Sequence, residues 1–466
     1  MLRIAHPPGY GPEREYAVRL VLEEFLGLEC SLEETPRQDV EITLPNAGPE
    51  RRLLVADCLF RIGEHEWLTP AALPELPLDR WELSATELSS RLVSPSLPIL
   101  FGDRVGPHQS PFLLESAEEL SLGLDVFGSA FFMLTRYEEL SVPERDVHGR
   151  FPAPESLAEQ AGFLRRPLVN EYVEVLSWAL ERLWPRLHRR RREFRDRPTH
   201  DVDSPLCAAE ALKDAARKAV GDIARRRDPA LAVRQLTSFA QKKRGKHDSD
   251  PCNTFDFIMG LSERLGLRSA FYFMAGGTSR LDGTYSIEDP WIRGLLRRID
   301  QRGHEIGLHP SYDTFQDPVR TQAELSTLRR VCDEEGIEQP IRGGRQHYLR
   351  WENPTTWQNW NDSGLEYDST LGFADRPGFR CGVCFEYPVF NLRTHTPLRL
   401  RERPLIVMDR TLYGYMELSV AEMLDEIAEL RRRCRLFDGE FTLLWHNSLL
   451  VPRRARGIYE DALAAG

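Results

Sequence analysis

Two carboxylates lie two residues apart in the stretch 199–205, at Asp201 and Asp203, a spacing that could serve acid–base or metal chemistry. Ser204 and Pro205 follow them and stop regular structure, so both acids should lie where a strand opens into a loop. Neighbouring carboxylates repel each other unless a cation or a proton separates them. The pair therefore predicts one metal ligand and one general base, and a solvated turn after a strand is the alternative.

A histidine at a second strand end could complete such a site. The stretch 303–313 has the pattern of a helix end, a short buried strand and a loop, and His309 is the last residue of the strand. His304 lies at the start of the same strand and should point to its far end. An imidazole beside two carboxylates offers the mixed nitrogen and oxygen donors that transition metals prefer, so we predict that His309 binds a metal.

The second half of the chain repeats this arrangement. From Pro198 onward, apolar runs alternate with helical patterns, which predicts parallel strands joined by right-handed crossovers. The candidate strands end near Asp201, Met274, His309, Ile341, Asp368, Asp409 and His446. Seven units favour a (β/α) barrel, in which the carboxyl ends of all strands meet on one face. That face would carry Asp201, Asp203, His309, Arg345, His347, Asp368, Asp409 and His446.

The length of 466 residues predicts two or three domains. We expect an α/β domain of unknown role over residues 1–193, ended by an arginine-rich linker, and the barrel over residues 194–466. The stretch 206–250 has the pattern of a helical insertion with basic runs. A solvated hairpin, a cap over the site and a peripheral contact with acidic head groups of a membrane are the alternatives for this insertion.

The composition is that of a soluble globular protein, with 41% hydrophobic and 29% charged residues. The net charge of −11 argues against a general nucleic-acid partner, because phosphate contacts need a basic face. The first eight residues contain no apolar core of a signal segment, and no apolar run is long enough to span a bilayer. We therefore expect a cytoplasmic protein without a transmembrane segment.

Eight cysteines are scattered along the chain. In a reducing compartment they are expected to be small core residues with free thiols. Only Cys381 and Cys384 have the spacing of metal ligands, and a turn with two packed thiols is the favoured interpretation of this pair.

The order of five short motifs resembles that of polysaccharide deacetylases of the NodB-homology type, a group of carbohydrate esterases. The motifs are Thr199 to Asp203, Gly303 to His309, Arg345 to Tyr348, Tyr367 to Ser369 and Leu443 to Asn447. The resemblance covers residues 198 to 450 and implies a distorted (β/α)7 barrel of the α/β class. The preceding part resembles the uncharacterised N-terminal domain of one bacterial branch of that family.

The resemblance also implies roles for individual residues. Asp201 would be the general base, Asp203 and His309 would be metal ligands, and Arg345 would steady the catalytic carboxylate. His446 would be the general acid, because a histidine can pass a proton to a departing amine near neutral pH.

The second histidine ligand of the family is missing from its usual position. The family has it four residues after the first, where this chain has Asp313. Asp313 offers an oxygen donor, whereas His347 offers a nitrogen donor at the same barrel mouth. We favour His347 and keep Asp313 as the alternative.

The implied reaction is metal-dependent hydrolysis of an N-acetyl group on a sugar, with zinc, cobalt or nickel as the metal. The expected substrate is an N-acetylated saccharide, nucleotide-linked or lipid-linked, from a cell-envelope, capsule or lipopolysaccharide-type glycan. Two alternatives remain: a hydrolase of another linear or cyclic amide, and a non-catalytic glycan-binding protein on the same scaffold.

Overall fold

The computed structural model describes residues 1–45, 51–83, 87–108, 110–209, 211–224, 227–242, 246–277, 279–283 and 285–464. These residues form an α/β protein. The main sheet of the first half has both parallel and antiparallel strand pairs, and the sheet of the second half is mainly parallel.

The described residues of the first half form eight strands and five α-helices. The strands are β1 (Leu2–His6), β2 (Cys30–Glu34), β3 (Asp39–Thr43), β4 (Arg52–Ala56), β5 (Asp79–Glu82), β6 (Ser96–Ile99), β7 (Leu113–Glu115) and β8 (Glu119–Leu122). The helices are α1 (Gly11–Arg19), α2 (Val126–Leu134), α3 (Glu138–Ser141), α4 (Leu157–Gln160) and α5 (Leu168–Leu183). Six strands form one sheet in the order β2-β1-β3-β4-β8-β7, and β5 pairs with β6.

The apolar helix α2 lies in the core between the two halves of the chain. Asp125 caps it by accepting a hydrogen bond from the backbone N–H of Gly128 at 2.7 Å, and every residue of the helix is buried. Arg136 adopts a positive φ of 53°, which separates α2 from α3. Its guanidinium donates to the backbone oxygen of Arg380, in the second half of the chain. The break therefore lets the arginine join the two halves.

In the second half, the part of the chain that the structure describes forms nine strands and eight α-helices. The strands are β9 (Arg195–Val202), β10 (Ala270–Phe273), β11 (Glu305–Leu308), β12 (Gly343–Gly344), β13 (Tyr367–Asp368), β14 (Tyr387–Asn391), β15 (Thr396–Glu402), β16 (Val407–Met408) and β17 (Glu440–Leu444). The helices are α6 (Leu212–Ala224), α7 (Pro229–Lys242), α8 (Phe255–Arg264), α9 (Pro290–Gln301), α10 (Pro318–Glu334), α11 (Thr355–Asp362), α12 (Val420–Leu436) and α13 (Arg453–Ala464). Short turns of other helix types link several of these elements, including a π-helical turn over Thr411–Tyr415.

The large sheet has the order β14-β15-β13-β12-β11-β10-β9-β17-β16. All neighbouring pairs are parallel except the β14–β15 hairpin. The parallel strand β15 was not predicted, because it contains two arginines and few apolar residues. Among the described residues β16 does not pair with β14 or β15, so the sheet remains open on that side and a closed barrel is not formed by backbone pairing.

The insertion between β9 and α8 contains helices α6 and α7, which pack against each other. The expected basic runs fall partly outside the described residues, at positions 225–226 and 243–244. Cys207 and Cys252, at the two ends of the insertion, form a disulfide. The expectation that all eight cysteines carry free thiols is therefore wrong for this pair, because the fold brings together two residues that are 45 positions apart in sequence.

Cys381 and Cys384 are buried with free thiols, and burial raises the pKa of Cys381 to about 12. Such a thiol stays protonated and serves as a small apolar side chain. None of the described helices combines the length and the apolar character that a membrane crossing requires.

Candidate functional site

Parallel pairing brings the carboxyl ends of the central strands to one edge of the large sheet. The backbone N–H of His309 bonds to the carbonyl of Phe273, that of Arg345 to Leu308, and that of Trp445 to Thr199. His309 itself, His347 two positions after Arg345 and His446 directly after Trp445 line the same cleft. The cleft has a volume of about 550 Å³ and is lined by Arg150, Asp201, Asp203, Ser204, Leu281, Asp282, Gly283, His309, His347, Tyr348, Leu349, Met408, Arg410, Gly414, Tyr415 and His446.

Three side chains at this edge have the geometry of a metal site. One ligand atom each from Asp203, His309 and His347 lie within 4.8 Å of one another. Oδ1 of Asp203 lies 3.2 Å from Nε2 of His309 and 3.8 Å from Nε2 of His347. The three donors therefore converge on one point from three separate strand ends.

Two of these atoms are buried without a hydrogen-bond partner in the described part of the chain. They are Oδ1 of Asp203 and Nε2 of His309. Leaving a buried polar atom unsatisfied costs about 1–3 kcal/mol. A divalent cation between these donors would satisfy both atoms, and mixed imidazole and carboxylate donors suit zinc and related ions. The residues therefore fit a metal.

In His309 and His347 a contact holds Nδ1, so that Nε2 faces the site. Nδ1 of His309 donates to the backbone oxygen of Arg345 at 2.7 Å. Nδ1 of His347 lies 3.1 Å from Oδ1 of Asp282, which also accepts from the backbone N–H of Tyr312 at 2.7 Å. Such contacts set the tautomer and the ring orientation of metal-binding histidines. Both rings are thus prepared to offer Nε2.

The alternative ligand Asp313 lies elsewhere. Its carboxylate contacts the guanidinium of Arg350 at 3.2 Å, and about half of its side chain (49%) is exposed. Asp313 does not belong to the group of close donor atoms that the structure describes at the cleft.

Asp201 is held by a fully buried arginine. Nη1 of Arg345 donates to Oδ1 of Asp201 at 2.9 Å and to the hydroxyl of Thr199 at 3.0 Å. Its Nε and Nη2 donate to the backbone oxygen and the hydroxyl of Ser369 at 2.8 and 3.0 Å. Four fixed contacts leave the guanidinium no freedom, so one oxygen of Asp201 is tied down. The other, Oδ2, lies 3.9 Å from Nε2 of His309.

His446 reaches the site from the end of β17. Its Nε2 lies 3.5 Å from Oδ2 of Asp203, and its Nδ1 donates to Oδ1 of Asp409 at 2.7 Å. Burial alone would lower the pKa of His446, but the charge and the hydrogen bond of Asp409, together with the charges of Asp203 and Asp201, raise it to about 9. At neutral pH His446 therefore carries a proton that it could donate.

The pKa of Asp203 is shifted in the opposite direction, downwards. Burial alone would raise its pKa, but contact with His309 and the nearby histidine charges hold the pKa well below the usual range. Burial lowers the pKa of His347, which favours the neutral imidazole. An ionised carboxylate and a neutral imidazole are the forms that bind metals.

Asp368 lies behind the site and does not face the cleft. It is completely buried and accepts hydrogen bonds from the backbone N–H and the hydroxyl of Thr370. Burial raises the pKa of Asp368 to about 7. These contacts give Asp368 a structural role, whereas Asp409 contacts His446 directly.

Several lining residues were not predicted. Arg150, from the first half of the chain, donates to the backbone oxygen of Tyr348 and to the hydroxyl of Tyr415, both at 3.0 Å. Tyr348 has a positive φ of 61°, and Asp282 lies in the loop after β10. No local pattern marks these residues; the position of Tyr348 directly after His347 was the only available signal.

Two comparisons with known proteins give matches. Residues 2–185 match the model of a family of unknown function (DUF7033), which includes the position of Arg150. No curated protein matches the sequence. Among the solved structures that match is a crystal structure of a "putative polysaccharide deacetylase" from Mycobacterium smegmatis. It is 20% identical, with a TM-score of 0.37 over 59% of this chain and 83% of that chain. At this TM-score the likeness does not define the fold.

Proposed function

We propose that the protein is a metal-dependent hydrolase that removes an N-acetyl group from a sugar. The observation that carries the proposal is the cluster of donor atoms from Asp203, His309 and His347, in which Oδ1 of Asp203 and Nε2 of His309 lie 3.2 Å apart and make no hydrogen bond among the described residues. The order of the five sequence motifs supports the same reaction. The proposed scaffold is a distorted (β/α) barrel over residues 194–466 that is open on one side.

Asp203, His309 and His347 would hold the divalent ion, with zinc, cobalt or nickel as candidates. When bound, the ion supplies Lewis-acid chemistry, which acidifies water and polarises the acyl oxygen. The contacts of His309 with Arg345 and of His347 with Asp282 support this ligand set, because they aim both Nε2 atoms at Asp203.

Asp201 and His446 would move the protons. Asp201 would accept a proton from the attacking water, since Arg345 holds one carboxylate oxygen and leaves Oδ2 facing His309. His446 would donate a proton to the departing amine, and its pKa of about 9 keeps it protonated at neutral pH. Acetate and a free amino sugar would be the products.

The substrate class would be an N-acetylated saccharide of a cell-envelope type glycan or its precursor.

The disulfide between Cys207 and Cys252 argues against the expected cytoplasmic location, because disulfides persist mainly in oxidising compartments. Counting free thiols in protein taken directly from cells would test this location: eight free thiols support the cytoplasm, and six support an oxidising compartment.

The experiment that tests the function measures metal and acetate in the same preparations. We expect near one equivalent of a transition metal in the native protein and little in His309→Ala after identical dialysis. We expect acetate release from N-acetylglucosamine oligomers by the native protein and a loss of at least about 100-fold in Asp201→Asn, which removes the general base.

Other outcomes select the alternatives. Turnover of small linear or cyclic amides without acetate release from sugars would favour a different amidohydrolase. Glycan binding that is unchanged in Asp201→Asn, with no measurable turnover, would favour a non-catalytic binding protein. No retained metal, even after soaking with zinc or cobalt, would contradict the proposed site.

A further inference from the structure

One arginine in the cleft has a charge without a partner. Arg410 directly follows Asp409, its side chain is exposed, and it lines the cleft with the candidate metal ligands. Its backbone N–H donates to Asp409 at 2.6 Å. Within the described residues, its guanidinium has no hydrogen bond and no ion pair. The protein therefore presents a free guanidinium to whatever enters the cleft.

The other charges that line the cleft are matched. Arg150 pairs with Asp146 at 2.7 Å, and Asp201 pairs with Arg345 at 2.9 Å. Asp282 contacts His347 at 3.1 Å. Asp203 faces three histidines. Arg410 is thus the surplus positive charge among these lining residues.

Arg410, Asp203 and Tyr348 line the same cleft of about 550 Å³. Tyr348 is also held by Arg150, which contacts Tyr415 in the π-helical turn that starts just after Arg410. The free guanidinium therefore belongs to the same cleft as the candidate metal ligands.

A metal ion in this cleft would increase the surplus of positive charge. An unpaired guanidinium beside a bound cation weakens binding of that cation unless an anion is also present. A planar guanidinium matches carboxylate and phosphate groups with two parallel hydrogen bonds, and such charge-assisted pairs are strong. An anionic group on the ligand would therefore balance the cleft.

We propose that Arg410 binds a carboxylate or phosphate group on the saccharide, so that the preferred substrate is an anionic N-acetylated saccharide. This inference rests on the proposed function and narrows its substrate class. Arg410 would act as a specificity residue, because it contacts a part of the substrate away from the acetyl group.

The test uses three matched saccharides with the native full-length protein. The first is an N-acetylglucosamine disaccharide, the second has its neighbouring sugar oxidised to a uronic acid, and the third carries a phosphate ester at that position. The native protein should have a higher kcat/KM for one of the anionic forms. In Arg410→Gln, the ratio of anionic to neutral kcat/KM should fall about 10- to 100-fold, the range of a charge-assisted hydrogen bond.

Two further variants sharpen the result. Arg410→Lys keeps the charge but loses the guanidinium fork, so the ratio should fall by less than in Arg410→Gln. Arg268→Gln is the matched control, because Arg268 is an exposed arginine in the loop before β10, at the opposite end of the strands from the cleft. This control should leave the ratio unchanged. The anionic saccharide whose kcat/KM falls more in Arg410→Gln shows whether Arg410 binds a carboxylate or a phosphate.

An unchanged ratio of anionic to neutral kcat/KM in Arg410→Gln would overturn the inference, whether both values fall equally or neither falls. If the native protein releases no acetate from any of the three, the proposed function fails. The inference is then decided by direct binding: tighter binding of an anionic saccharide to the native protein than to Arg410→Gln supports it, and equal binding overturns it.

Discussion

Asp409 accepts two hydrogen bonds from His446, one from the ring Nδ1 at 2.7 Å and one from the backbone N–H at 2.6 Å. The two residues come from the ends of neighbouring parallel strands, β16 and β17. The carboxylate therefore sets both the orientation of the imidazole and its charge.

We predict that Asp409→Asn lowers acetate release about 10- to 100-fold at neutral pH, because His446 loses its orientation and its proton. The raised pKa of about 9 implies that activity of the native protein falls only as pH rises through that value. Without the charge of Asp409, burial lowers the pKa of His446, so the alkaline limb of kcat/KM should move to lower pH. Asp438→Asn, at an exposed aspartate, should leave the limb in place. An unmoved limb in Asp409→Asn would exclude His446 as the acid.

The contact between Asp282 and His347 predicts an effect on metal affinity. Asp282→Asn should weaken zinc binding about 10- to 100-fold, as measured by competition with a chromogenic chelator, because the ring of His347 loses its anionic partner. Asp313→Asn is the matched control and should bind zinc like the native protein, since Asp313 pairs with Arg350. The reverse pattern would assign the third ligand to Asp313.

The approach of Asp203 and His309 could be predicted from sequence because each of them follows an apolar run that becomes a parallel strand, whereas His347 was placed beside them by the third motif. The side chains that support them could not. Asp282 lies in a loop without periodic pattern, and Arg150 approaches Tyr348 across 198 positions of the chain. Such contacts depend on how the two halves pack, which no local pattern encodes.

The strands also differ in whether the local sequence predicts them. Buried central strands such as β10 and β11 are continuous apolar segments and were predicted. Strand β15 has mostly part-exposed or exposed side chains, with buried residues only at Leu400 and Glu402, so it lacks the apolar signal of the other strands. The pairing of Cys207 with Cys252 likewise depends on the hairpin between them.

The contacts of Arg345 predict a loss of stability on conservative replacement. Arg345→Lys cannot make the four directed contacts of the guanidinium, and buried Asp201 and Ser369 would lose partners. We expect the free energy of unfolding to fall by about 3–5 kcal/mol, measured as urea denaturation. Arg342→Lys is the control: its exposed pair with Glu366 should contribute less than about 1 kcal/mol. Equal stability of the two variants would contradict this assignment.

His200 predicts a specific dependence of stability on acid. It is fully buried, its Nδ1 donates to the backbone oxygen of Trp445 at 2.6 Å, and burial lowers its pKa to about 3. Below the ordinary pKa of 6.5 the unfolded chain takes up a proton that the folded chain refuses. The contribution of His200 is therefore complete above pH 6.5 and is lost as the pH falls towards 3.

At neutral pH the free energy of unfolding of the native protein should exceed that of His200→Gln. This difference should shrink by about 1.4 kcal/mol for each pH unit below about pH 6. Urea denaturation of both proteins at several pH values between 4 and 7 measures this difference, and titrations common to both proteins cancel. His65→Gln, at a histidine whose side chain is 85% exposed, should show a constant difference over the same range. A constant difference for His200→Gln would mean that His200 binds a proton equally well in the folded and unfolded chains, contrary to its buried position behind Asp201.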